Sequence, residues 1–313
     1  MERKKPEIIK WLKILFLVLV IGFLVKYFIE NYEDFRSIDL NINWVTFFAS
    51  MLFFIVYKIT LASLWHYITI LNDAQITYKK AITAYMYSIL GKYIPGKVFM
   101  LAARLMYYDL EGVKKRKVTI CFFIENMLTL LGAALLFIVS LFFFPNNLLA
   151  RYKYITIALI VLFFIFINPK ILNIFLRLLE KITKKNDLQL SFSYLQMLKL
   201  VLLFVINWTI VGIGFYILVY SIYLIPINQS LYAAGVFALA AIIGILSIFA
   251  PSGIGVREGI IVMGLTLVMP LEYAVIVSVI SRLWSTIPEL LLAGVAFAYS
   301  KISEKLEQRE RIS

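Results

Sequence analysis

The sequence predicts an all-α, polytopic membrane protein: about six full spans plus two broken, re-entrant helix pairs related as an inverted repeat. Three observations carry this. Of the 313 residues 62% are apolar and only 16% charged, with mean hydropathy +0.90. That is more apolar side chain than a globular core of this length can bury, so lipid must cover the rest. The apolar residues come in long runs, two of them interrupted by Pro and Gly. The basic residues behind the net charge of +13 stand in short blocks between those runs. They therefore read as membrane topology and not as a nucleic-acid surface.

The elements follow in chain order. MERKKPEIIKWLK leads into ILFLVLVIGFLV, as in a secretory leader, but KYFIENYEDF follows without a small-residue cleavage pattern. This predicts an uncleaved first span. A helix needs about 20 apolar residues to cross a hydrocarbon core of about 30 Å. The runs near 11–29, 43–71, 119–144, 152–168, 194–225 and 273–299 meet or approach that length. Regions 81–108 and 230–270 are equally apolar but broken, by GKYIPGK at 91–97 and by PSGIGVRE at 251–258.

Charge orients the spans, because Lys and Arg close to a span resist translocation. Basic residues precede the first run and gather at Lys79 and Lys80, at Lys114 to Lys117, across 170–185 and after Lys301. These loops and both termini are expected in the cytoplasm, with the chain in the inner (cytoplasmic) membrane. Loop 30–41 holds Glu30, Glu33, Asp34 and Asp39 against Arg36, and 226–230 holds no charge; both are expected outside. Region 81–108 then enters and leaves on one side, and its halves, 81–90 and 97–108, each cover about half the core at about 1.5 Å per residue. By the same argument 230–250 and 256–270 dip from the opposite side. Two units result within one transmembrane domain, 43–144 and 194–299, inserted in opposite orientations. The alternative, ordinary kinked spans at each break, changes the parity. Between the units, in a linker over 169–193, PKILNIFLRLLEKITKK sets Ile171, Ile174, Phe175, Leu178, Leu179 and Ile182 opposite Lys170, Arg177, Lys181 and Lys184. This spacing predicts an amphipathic helix on anionic lipid.

Much chemistry is excluded. A single cysteine, Cys121, forms no intrachain disulfide, and a single histidine, His66, has no ligand cluster beside it in sequence, so neither metal nor cofactor is expected. The phosphate-loop, nucleophile-elbow and paired-histidine signatures are missing. The glycines of GIGVREG lack the strand that a dinucleotide fingerprint needs. Enzymatic activity is not expected.

The informative residues are charges inside apolar regions, each costing about 2.5–3.5 kcal/mol at the bilayer centre on insertion scales. Arg257 and Glu258 follow Pro251, Ser252, Gly253 and Gly255, where a half-helix begins and unpaired N–H groups with a positive dipole end favour an anion such as phosphate. Arg282 and Glu289, seven residues apart with Pro288 between them, can complete that cavity. The structural alternative is that these arginines and glutamates lock the fold as ion pairs. At the first break Lys92 and Lys97 flank the tip, with Arg104 two turns on, making either a second anion site or a pair of lysines snorkelling to the interface. Glu125 lies deep enough in its span to want a cation such as Arg104. Lys58 and His66 are weaker candidates, His66 reading first as a packing residue.

At these breaks GKYIPGKVFMLAAR (91–104), APSGIGVREG (250–259) and SRLWSTIPEL (281–290) resemble the lysylphosphatidylglycerol synthase transmembrane family, the flippase-like domain that precedes an aminoacyl-transferase domain in multiple peptide resistance factor. The second segment is the most specific, while Phe99 and Met100 stand where some members carry Gly-Glu. The resemblance covers most of the chain; beyond Ser300 runs KISEKLEQRERIS, so lysyl transfer is not expected. What the resemblance implies is lipid translocation: an anionic or zwitterionic headgroup, aminoacylated phospholipid or polyprenyl-linked, crosses through a polar cavity while its tails stay in the bilayer. The partners would be membrane lipids and a separate envelope lipid-modifying enzyme. Two other readings stand beside it, a membrane-embedded enzyme with Glu258 or Glu289 as general base, and a structural partner whose charges are sealed pairs.

Overall fold

A computed structural model describes residues 41–89, 91, 98–143, 154, 158, 161, 165, 168–171, 173, 174, 192–247 and 253–310, with the backbone alone at 98 and 301–310. The expected first span, most of the run at 152–168, most of the amphipathic linker, and Lys92, Lys97, Pro251 and Ser252 lie outside the described residues.

The described residues form helices and no strand. In the first unit α1 spans Trp44–Leu71, α2 Tyr78–Ile89, α3 Val98–Leu110 and α4 Lys115–Ser140; in the second α5 spans Tyr194–Ile222, α6 Ser230–Leu246, α7 Val256–Leu265 and α8 Leu271–Glu310. Local sequence sets the starts. The Asn43 side chain accepts the Thr46 N–H at 3.2 Å to begin α1. Ser193 and Gln196 form a reciprocal capping box on α5, satisfying N–H groups that a helix start leaves open.

Length separates the helices into two kinds. The helical stretches 44–71, 115–143, 194–222, 227–246 and 271–300 are long and apolar enough to cross a membrane. Helices α2, α3 and α7 hold 12, 13 and 10 residues, about 15–20 Å at 1.5 Å per residue, too short to cross. Expectation and structure differ at α6. Read from sequence as half of a re-entrant pair, it gains a 3₁₀ turn over Ile227–Gln229 and is then long enough to span by itself. Large apolar residues such as Val45, Leu52, Leu195, Leu202 and Val295 are exposed on the long helices, so these helices are apolar on both faces, the pattern of segments surrounded by lipid.

Each broken region folds back as an antiparallel hairpin. In the first, a Cβ on Gly91 would lie 2.5 Å from the Met100 backbone nitrogen, Ser88 meets Arg104, and the Tyr87 ring lies 5.4 Å from that of Tyr107. In the second, Gly253 abuts Gly244, Val236 abuts Gly264, and the Tyr232 hydroxyl donates to the Gly264 carbonyl. The turn into α7 needs its glycines: Gly253 and Gly255 have φ of +69° and +84°, a region L side chains avoid.

The units interlock. Helices α1 and α5 run antiparallel along a broad contact: Asn43 N–H donates to the Ser221 carbonyl at 2.9 Å, Thr60 bonds Asn207 midway, and Lys199 lies over the Tyr67 ring at the far end. The last span of each unit then packs on the first hairpin helix of the other, α4 on α6 and α8 on α2.

Candidate intramembrane charge cluster

Among the described residues three ion pairs with buried carboxylates hold the interior. In the first unit Arg104 of α3 pairs with Glu125 of α4. Arg104 is completely buried, its Nε donates to Ser88 Oγ at 2.9 Å, and its guanidinium stacks on Trp65 at 4.1 Å and Tyr85 at 4.3 Å, with Phe122 at 5.2 Å. The pairing with Glu125 is the one its depth called for. Arg104 Nη2 is buried without a hydrogen-bond partner, and the other two cations expected beside it, Lys92 and Lys97, lie outside the described residues.

The second unit repeats the arrangement with the charges exchanged. Here the carboxylate sits on the hairpin helix and the arginine on the last span: Glu258 Oε1 of α7 lies 2.5 Å from Arg282 Nε of α8. Glu258 Oε2 also accepts the Gly255 N–H at 2.6 Å. An open helix start was expected at this position. The carboxylate of the third helical residue instead turns back and occupies the anion position itself, the usual acidic partner of a helix N-terminus. Gly253, singled out with Ser252 as a ligand position, serves as the close backbone contact to Gly244.

The third pair crosses between units. Lys58 of α1 lies 2.8 Å from Glu289 of α8, whose residue is wholly buried. Lys58 also lies over the rings of Phe54 and Tyr57, at 5.3 and 5.2 Å. Arg282 and Glu289, which the spacing placed in one cavity, are about 10 Å apart along α8 and engage different helices, α7 and α1. Pro288 stands between them with no N–H for the preceding turn.

Arg257 completes the cluster. It forms no ion pair among the described residues, and its Nε and Nη2 are buried without hydrogen-bond partners. Its guanidinium lies 4.6 Å over the Phe237 ring, a favourable contact that leaves its in-plane donors open. The charged and titratable groups acting on it are Arg282, Glu258, Glu289 and Tyr57. An aromatic row connects the two outer cations: Phe54 beneath Lys58 packs on Trp284 at 4.9 Å, and Trp284 packs on Phe237 at 5.7 Å. Trp284 is fully buried and its Nε1 has no acceptor.

These breaks and charges fall within residues 10–293, which match the family described as lysylphosphatidylglycerol synthase TM region. The chain belongs to this family. No curated protein matches it. In this member of the lysylphosphatidylglycerol synthase TM region family, sequence reasoning picked out Arg257, Glu258, Arg282 and Glu289, and the structure sets the other three around Arg257 while Arg282 and Glu289 take separate partners. It ranked Lys58 low, because nothing local ties a lysine in α1 to a glutamate 231 positions later. The available signal was its place in the middle of an otherwise uncharged run. His66 stands apart, its ring 5.4 Å from that of Tyr78 and its Nδ1 buried without a partner. Among the described residues no group of His, Cys, Asp and Glu is arranged to hold a metal.

Proposed function

We propose that this protein is a flippase-like carrier that moves the headgroup of an anionic or zwitterionic lipid across the inner membrane, with both termini in the cytoplasm. The observation that carries the reading is Arg257, a guanidinium with buried, unpartnered donors inside a membrane-embedded cluster. A buried polar group without a partner is costly, and Arg is the side chain whose planar fork matches phosphate. Its place beside a helix break is where transporters build midplane sites, since irregular backbone is tolerated there only against a cavity or protein.

Family membership supports the class and leaves the cargo open between aminoacylated phospholipid and polyprenyl-linked lipid. Catalysis is not part of the proposal: Glu258 caps a helix and meets Arg282, and Glu289 meets Lys58, so both carboxylates already serve partners within the protein. A separately encoded envelope enzyme would supply the modified lipid.

The test is a scrambling assay in proteoliposomes with fluorescent phosphatidylglycerol, its aminoacylated form and a polyprenyl phosphate, comparing wild type with Arg257→Ala. Faster exposure of one lipid, lost in the variant, supports the carrier and names its cargo. Rates equal to those of empty vesicles for all three lipids reject it.

A further inference from the structure

Arg257 stands close enough to two carboxylates to feel them and pairs with neither. Glu258 and Glu289 both act on it, as does Arg282, yet Glu258 meets Arg282, Glu289 meets Lys58, and Arg257 Nε and Nη2 have no hydrogen-bond partner. An arginine has enough rotatable bonds to swing onto a neighbouring carboxylate, and away from water that attraction is strong. A restraint must hold it off.

The restraint lies on α6. Phe237 and Gly244 are seven residues apart on that helix, so they share one face two turns from each other. A Cβ on Gly244 would lie 3.6 Å from Arg257 Cβ, and the Arg257 guanidinium lies 4.6 Å over the Phe237 ring. The side chain is therefore laid along α6, its stem against Gly244 and its head on Phe237. Phe237 is itself fixed: it is 3% exposed, and its ring packs on Phe215 at 4.7 Å and on Trp284 at 5.7 Å. A ring face attracts a guanidinium through its negative π cloud, more strongly where water is excluded, and leaves the N–H groups at the guanidinium edge unused. A carboxylate in the same place would consume them.

Resting on the reading of Arg257 as a lipid-headgroup ligand, we infer that Phe237 is the positioning residue of this site: its ring face keeps the guanidinium off Glu258 and Glu289 and so keeps Nε and Nη2 open. Phe237 acts through Arg257. When the attraction of the ring face is lost, the guanidinium falls onto a carboxylate and the site closes from within.

The test alters the electrostatics of the ring and leaves its shape nearly intact. Phenylalanine 237 in the full chain is replaced, by nonsense suppression, with its mono-, di- and trifluorinated forms, each fluorine drawing electron density from the ring face. Scrambling is then measured in proteoliposomes with fluorescent phosphatidylglycerol, its aminoacylated form and a polyprenyl phosphate, beside wild type and Arg257→Ala. The rate for whichever lipid wild type moves is expected to fall stepwise with fluorine number, to about one tenth in the trifluorinated protein. The same series at Phe215, which touches Phe237 and has no cation over its ring among the described residues, is expected to leave the rate unchanged. Both series retain the packing, so their thermal midpoints should match wild type. A flat series at Phe237, or an equal fall at Phe215, overturns the positioning role while activity that Arg257→Ala abolishes leaves the headgroup site standing. No movement of any lipid by wild type, or full movement by Arg257→Ala, overturns the headgroup reading and this inference with it.

Discussion

Lys58 Nζ lies 2.8 Å from Glu289 Oε1, joining the first span of one unit to the last span of the other. A carboxylate as deeply buried as Glu289 tolerates its charge only while a cation faces it. A pair of this kind is strongly destabilised by removing one partner and is often neutral or better when both are replaced by apolar groups.

Lys58→Ala should therefore cost about 3–5 kcal/mol, seen as a lower thermal midpoint in detergent. Lys58→Met with Glu289→Met should recover most of it. A double-mutant cycle on midpoints checks this, and independent, additive losses would show that the pair is not coupled.

Arg257→Ala should behave in the opposite way. With no counter-ion among the described residues and two unpartnered donors, its removal relieves a desolvation cost and should leave the thermal midpoint unchanged or raised, while lipid translocation is lost. Arg282→Ala strips Glu258 of its cation and should lower both. Comparing midpoint with scrambling rate for the two variants distinguishes a ligand position from a structural one.

Gly253→Ala should destabilise by several kcal/mol. Its φ is +69°, and a Cβ would lie 2.7 Å from Gly244 Cα; the left-handed conformation alone costs about 1–2 kcal/mol for an L residue. Gly259, on α7, is the control. A Cβ there meets nothing within 4 Å, and Ala is the better helix former by about 1 kcal/mol, so Gly259→Ala should be neutral or stabilising. Urea or thermal unfolding of both variants decides it.

Arg104→Lys keeps the charge but should lower stability by about 1–3 kcal/mol. An ammonium has no planar face to stack on Trp65 and Tyr85 and no fork to serve Ser88 and Glu125 together. Lipid translocation in the scrambling assay should not change, because Arg104 pairs with Glu125 and not with the charges on α1, α7 and α8.

Much of this was legible in sequence and some was not, for definite physical reasons. Composition and run length gave the spans, and Pro and Gly gave the breaks, because backbone chemistry acts locally. The Arg104–Glu125 pair was legible from depth alone, since an intramembrane carboxylate needs a cation and one stood nearby in sequence. The Glu258 cap was also legible, three residues after Gly255 at the spacing of a capping box, yet the cluster of charges drew the reading toward a ligand. Lys58–Glu289 was hidden, because a contact between α1 and α8 is a property of packing. The charge exchange between units, Arg104–Glu125 against Glu258–Arg282, was hidden as well. Attraction depends on the product of two charges, so opposite assignments satisfy the same geometry.

The reciprocal packing of α4 on α6 and α8 on α2 has a mechanical consequence. The hairpin of each half rests against the terminal span of the other, so a tilt of one hairpin presses on a helix anchored in the opposite half. The two halves are geared, like hands with interlaced fingers: whatever loosens the grip on one side must move the other. Neither half cut from the chain would retain the surface against which its own hairpin closes.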